Sequence, residues 1–214
     1  MTNLVTIERE YGSGASAIAR RLADRLGWEL WDQRLTDEIA RRMSCDRRHV
    51  EQQEERKDPL HYRLFKSFLR GSFEGSLNAP RLRLADAEGI RQVTEHLIRD
   101  IAAKGNAVIV GRGSAYYLCD RPQSFHVFVY APFDEKVHRI QGEGKTGAEA
   151  TELVQTVDQE RTGFIKEHFE IEWPTRQYFH LMVNSTIGED AAAEMIIHGL
   201  NTVEGREICP PPPA

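Results

Sequence analysis

The chain has 214 residues, 40% of them hydrophobic and 29% charged, which suits one ordinary domain with a real core. Its formal net charge of −5 argues against a protein that coats nucleic acid, while local arginine clusters would still suit small phosphates. No apolar run approaches the roughly 18 residues that span a bilayer, nothing at the N-terminus resembles a secretion signal, and Cys45, Cys119 and Cys209 are too scattered for a disulfide framework or zinc cluster. The expectation is a single cytoplasmic domain with no membrane and no nucleic-acid partner.

Leu4 to Ile7 is a short apolar run of the kind that forms a buried strand. Ile18, Leu22 and Leu26 recur at helical spacing, and Gly27 provides a stop. Trp28 to Trp31 reads as a second strand ending at Asp32, and Leu35, Ile39 and Met43 as the face of another helix. Residues 45–85 are first strongly charged, then mixed basic and aromatic with scattered glycines, and read as a helical, mobile excursion from the core. Ile90, Val93, Leu97 and Ile101 form a helix stripe that stops near Gly105. Ala107 to Val110 is the strongest buried-strand candidate, and Gly111-Arg112-Gly113 follows it directly. Then come a strand at Phe125 to Tyr130 and a helix at Asp134 to Ile140. A glycine-marked break precedes a polar helix from about Ala148 to Phe169, followed by a strand at Leu181 to Val183 and a helix at Glu189 to Leu200. The tail, 207–214, is proline-rich and reads as disordered.

Alternating strands and helices, with continuously apolar strands, imply an α/β fold: a parallel sheet covered on both faces. Such a sheet places ligands beyond the carboxyl ends of its strands. Three loops therefore share one site: the glycine-rich loop after Ile7, Asp32, and Gly111-Arg112-Gly113.

Two phosphate-binding loops compete for Glu8 to Leu22. Gly12-x-Gly14-x-x-Ala17 matches the dinucleotide fingerprint, with Asp32 about twenty residues on as a ribose ligand. Arg9 to Ser16 has the length of a P-loop, with Arg9 at its first glycine, Ala15 at its lysine and Ser16 at its Mg²⁺-binding position. Glu8 to Tyr11 separate the strand from Gly12, which favours the P-loop, whose chain must arch before its N–H groups turn onto phosphate. A glycine turn that binds nothing stays open as a third reading.

Thr6 to Gly14 with Ile18-Ala19 behind it, Trp31-Asp32, Val108 to Gly113, Val127 to Pro132, Arg139-Ile140, Asp158 to Arg161 and Val183 to Thr186 together resemble the cytidylate kinase-like family. This is a nucleoside monophosphate kinase branch of the P-loop superfamily. The resemblance implies a five-stranded parallel sheet, with 45–85 as the monophosphate-binding insertion and 142–175 as a lid. It implies ATP and Mg²⁺ on the loop Gly12, Ser13, Gly14, Ala15 and Ser16, the metal at Ser16, and a nucleoside monophosphate opposite, with CMP or dCMP first. Arg112 would face the acceptor phosphate, Arg161 would be the lid arginine oriented by Asp158, and Arg139 would stand at the base of the lid. Asp32 would hold Mg²⁺-bound water or a ribose, and Arg9 would partly replace the missing lysine.

Each assignment has a plainer rival. Asp158 and Arg161 also fit an exposed i,i+3 pair, and Asp32 also fits a helix N-cap. His126 and His180 lie within strands and read as packed or surface histidines rather than catalysts. Ala15 at the lysine position leaves room for a non-catalytic nucleotide sensor, and the Gly12/Asp32 spacing for an NAD-binding oxidoreductase. Gly113 replaces the aspartate of the Gly-Arg-Asp stretch of cytidylate kinases, so the acceptor is less defined than the fold.

Overall fold

The computed structural model describes residues 2–46 and 87–203. Within them, five strands form one parallel sheet: β1 (Leu4–Arg9), β2 (Glu29–Trp31), β3 (Ala107–Val110), β4 (Ser124–Tyr130) and β5 (Leu181–Asn184), in spatial order β2-β3-β1-β4-β5. β1 is central, paired from Leu4↔Ala107 to Ile7↔Val110 on one side and from Leu4↔Ser124 to Arg9↔Val129 on the other.

The period of two along the strands sorts their side chains into two cores. Val5, Ile7, Val108, Val110, Val127 and Val129 face one layer, covered by α1 (Ala15–Leu26) and α7 (Glu189–Thr202). Leu4, Ile109 and Phe128 face the other. That layer is covered by α2 (Gln33–Asp46), α3 (Ala87–Lys104), the short α4 (Ser114–Tyr117) and part of α6 (Gly147–Phe169). A third, smaller cluster joins α5 (Phe133–Gly142) and α6 through Ile140, Ala150, Val154 and Val157, with Tyr11 of the glycine loop buried among them.

The helix ends follow local chemistry. Gly27 adopts φ 64° and bonds the last α1 carbonyls, a left-handed stop that a residue with a Cβ enters at a penalty. Thr146 and Glu149 form a reciprocal capping box that opens α6 at Gly147.

The expected α/β architecture is present, with helices on both faces. One boundary differs in a way that matters. β1 does not end at Ile7 but continues through Glu8 and Arg9, because their backbones pair with Phe128 and Val129 of β4. The arch before Gly12 is therefore only Glu10 and Tyr11. The 45–85 excursion lies outside the described residues except for the end of α2, and the 207–214 tail lies outside them altogether.

Candidate active site

The carboxyl ends of β1, β2 and β3 bring the three expected loops together. Gly12 (φ 74°) and Gly14 (φ 75°) bend the chain after β1 directly into α1. Gly14 caps α1 without a side-chain bond, and the first turn of the helix carries no acidic residue. Its amides are thus left facing outward, the arrangement that receives phosphate oxygens. Ser16, in that turn, donates its hydroxyl to Asp32 Oδ2 at 2.8 Å. Asp32 precedes α2, yet its carboxylate serves Ser16: the second oxygen, Oδ1, is buried and without a hydrogen-bond partner. A hydroxyl and an orphaned carboxylate oxygen at a phosphate turn are the hard oxygen donors that Mg²⁺ takes. The donor set therefore fits the metal.

The strand order removes the dinucleotide reading. In that fold the strand after the glycine loop's helix lies next to β1, so its terminal acid reaches the ribose. Here β3 stands between β1 and β2, and Asp32 faces Ser16 instead.

Behind the glycine turn lies a buried cluster of charge. Arg9, Arg112 and Arg161 are 4%, 1% and 3% exposed. Arg112, at φ 62° between two glycines, donates from Nη2 to the Thr36 hydroxyl. Burial, then the positive charge of Arg9, pulls its pKa down to about 9, against an opposing pull from Asp32. Glu8 is buried among the same arginines, and burial pushes its carboxyl above the usual range although Arg9, Arg161 and Arg112 oppose the shift. Like charges held together out of water are costly to the fold, and groups perturbed in this way are candidates for a functional site.

Arg9 belongs to this cluster rather than to the glycine turn. Its guanidinium lies where a Cβ on Gly111 would stand. The cation against the turn is Arg139: its Nη1 would be 3.5 Å from a Gly14 Cβ, and it donates to Ser185 Oγ at 2.8 Å and more weakly to the Gly12 carbonyl at 3.4 Å. Ala15 itself is buried in the α1-side core.

Asp158 and Arg161 are not an exposed pair; both are built into the loop. Arg161 Nη1 donates to the Arg9 carbonyl at 2.8 Å, and Asp158 Oδ1 accepts the Tyr11 N–H at 2.7 Å. Lys136, unnoticed in the sequence, sits between Asp158 Oδ2 (2.9 Å) and Glu10 Oε2 (3.0 Å). Burial pulls its ammonium pKa down, but the Asp158 and Glu10 carboxylates outweigh that and raise it. The readable signal was Lys136 at i−4 to Ile140, on the helix face that presses Gly12. A Cβ there would lie 2.9 Å from the Lys136 carbonyl oxygen. Gly12 is glycine for this contact as well as for its left-handed φ of 74°.

His126 is the packed histidine expected. It shares a 2.6 Å hydrogen bond with Thr6 Oγ1, lies 3.2 Å from the Leu118 carbonyl, and stacks on His180. Burial, then His180, lowers its pKa to about 3.

The sequence profile of the cytidylate kinase-like family matches residues 4–187. The chain belongs to that family. An uncharacterized protein from Eubacterium ventriosum ATCC 27560 superposes with a TM-score of 0.67 at 21% identity, over 94% of this chain and 100% of that one. Shikimate kinase from Acinetobacter baumannii, in complex with shikimate, superposes at 0.50 with 14% identity, over 94% of each chain. Shikimate kinase from Bacteroides thetaiotaomicron does so at 0.50 with 12% identity, over 92% of this chain and 98% of that one. At these identities the likeness establishes a kinase-type fold. No curated protein matches the chain. Among the described residues no helix is long and apolar enough to cross a membrane.

Proposed function

We propose that this member of the family transfers the γ-phosphoryl group of ATP to a nucleoside monophosphate, with CMP or dCMP as the first acceptor to try. The observation that carries the reading is the juxtaposition at the sheet's carboxyl edge. The Ser16–Asp32 pair at a glycine turn shares that edge with three buried arginines, Arg9, Arg112 and Arg161.

Transfer exchanges the bond from the γ-phosphorus to its bridging oxygen for one to an acceptor phosphate oxygen, releasing ADP and a nucleoside diphosphate. The protein's work is positioning and charge. Amides from Gly12 to Ser16 would hold the triphosphate, and Ser16 and Asp32 would hold Mg²⁺, which would supply charge neutralisation for the phosphates. Arg112, with Arg9 beside it, takes the acceptor phosphate. Arg161, oriented by Asp158, stabilises charge on the moving group, and Arg139 supplies the positive charge at the turn that Ala15 lacks. The segment 142–175 serves as the lid; the 45–85 segment, which the family resemblance makes the monophosphate-binding insertion, lies outside the described residues but for its first two positions.

A coupled assay with ATP–Mg²⁺ against a panel of nucleoside monophosphates tests this, and turnover of at least one acceptor is the expected result. The buried Ala15 favours one second reading, a nucleotide sensor. ATP binding with no turnover of any acceptor at high enzyme concentration would establish that instead.

A further inference from the structure

Each of the four residues that lead into the phosphate turn is held from outside by α5 or α6. Arg161 holds the Arg9 carbonyl; Lys136 holds the Glu10 carboxylate at 3.0 Å. Asp158 holds the Tyr11 N–H at 2.7 Å, and the backbone of Lys136 lies against Gly12. Glu10 Oε2 also accepts the Ala131 N–H, at 3.4 Å, just before α5. The centre of this clasp is the Lys136 ammonium, whose side chain is 9% exposed and which touches both carboxylates.

Two carboxylates sharing one ammonium, on the approach to a site that must receive a triphosphate, form an unstable arrangement without that ammonium. Removing it would leave Glu10 without its cation and Asp158 with only the longer 3.5 Å contact to Arg161, so that the two carboxylates repel each other and the incoming nucleotide. The loop has also lost the cation of its own that a P-loop lysine would contribute, since position 15 is alanine. We infer that Lys136 is a positioning residue for the nucleotide: without touching phosphate, it neutralises Glu10 and Asp158 and so fixes the path of residues 9–12 for binding ATP. The inference rests on the reading of Gly12–Ser16 as the ATP loop.

The test uses the full chain and reads two quantities, the Kd for ATP–Mg²⁺ and backbone amide exchange over residues 9–12. In Lys136→Met, Kd should rise roughly tenfold or more and exchange of the Tyr11 amide should quicken by a similar factor. Exchange in β3 and β4 should stay as in the wild type. Lys136→Arg should restore both readouts to within about threefold, and adding Glu10→Gln to Lys136→Met should recover part of the loss by removing the repulsion. A folded Lys136→Met that binds ATP as the wild type does overturns the inference. So does a loss that neither Arg nor Glu10→Gln relieves, which marks Lys136 as packing alone. If Lys136→Met does not fold, Glu10→Gln alone carries the test, and unchanged ATP affinity and Tyr11 exchange in it count against the clasp. A wild-type protein that binds no ATP overturns this inference together with the reading it rests on. ATP binding that is indifferent to Lys136 overturns this one only.

Discussion

The two glycine turns, Gly12-Ser13-Gly14 and Gly111-Arg112-Gly113, share the left-handed conformation of their glycines but differ between them: Arg112 is itself left-handed at φ 62°, and Ser13 is not. Their glycines lie between φ 70° and 75°, and each turn leads from a buried strand into a helix. The first opens onto the twelve-residue α1, leaves its amides outward, and has its cation, Arg139, supplied from α5. The second opens onto the four-residue α4 and carries its own charge, Arg112, with Arg9 over Gly111 and the Phe169 ring over Gly113. The same pair of left-handed glycines thus becomes a receptor of amides or a pedestal for a buried cation, depending on the residue between them and on what the neighbouring elements place on them. The comparison teaches that glycine spacing defines a bend, and that side chains far away in sequence decide its chemistry.

The sharpest way to break the comparison is to discharge the second turn. Arg112→Ala should lower kcat/KM by roughly 10³-fold, the scale for losing a charge-assisted contact to the transition state. The Kd for ATP should shift by less than about threefold, because the first turn is intact. Equal losses in ATP binding and turnover would mean that the two turns do not divide their work. Arg112→Lys adds a pH test. The burial and neighbouring arginines that pull Arg112 to about 9 would also pull a lysine down from its ordinary ~10.4. The charged form is kept at low pH and lost as pH rises, so that variant should lose activity at a lower pH than the wild type. Coincident pH profiles for the two proteins would contradict the assignment.

Discharging the first turn's metal pair should have a smaller effect. Asp32→Asn keeps an acceptor for the Ser16 hydroxyl but removes the charge that Mg²⁺ needs. We expect about a 10²-fold loss of turnover and a higher Mg²⁺ concentration for half-maximal rate, measured by titrating Mg²⁺ at saturating ATP. An unchanged Mg²⁺ requirement would leave Asp32 with only its structural bond to Ser16.

Most of the fold was legible because buried parallel strands are short apolar runs and the helices carry stripes. Ala107–Val110 and the stripe from Ile90 to Ile101 needed nothing more. The failures have a common cause. Glu8 and Arg9 belong to β1 although hydropathy ends the strand at Ile7, since backbone pairing with β4 overrides side-chain polarity. The four-residue α4 is too short to show a period. Within the site, Ser16, Asp32 and Arg112 could be found by position after a strand or a glycine. Lys136, Glu10 and Tyr11 could not, because their partners lie more than twenty residues apart in sequence and meet only when α5 and α6 fold back over the loop. Local spacing marked the turns, but the clasp around them is a tertiary fact.

The smallest effects come from the glycines themselves, and crowding ranks three of them, Gly14, Gly113 and Gly111. An alanine in the left-handed region costs roughly 1 kcal/mol from backbone strain alone. At Gly14 little is added, because the new methyl would meet Arg139 at an ordinary 3.5 Å. At Gly113 it would press the Phe169 ring at 2.8 Å, which must tilt, and the total rises to about 2 kcal/mol. At Gly111 it would collide with the guanidinium of a 4% exposed arginine, and displacing that buried charge brings the loss to about 3 kcal/mol. Urea unfolding of the three variants should give that order, with Gly14→Ala nearest the wild type. Turnover should not follow it: Gly14→Ala, nearly harmless to the fold, distorts the amides that receive phosphate and should lose activity out of proportion to its stability. If activity and stability fall in parallel across the three, the first turn is structural and the division of labour between the turns is lost.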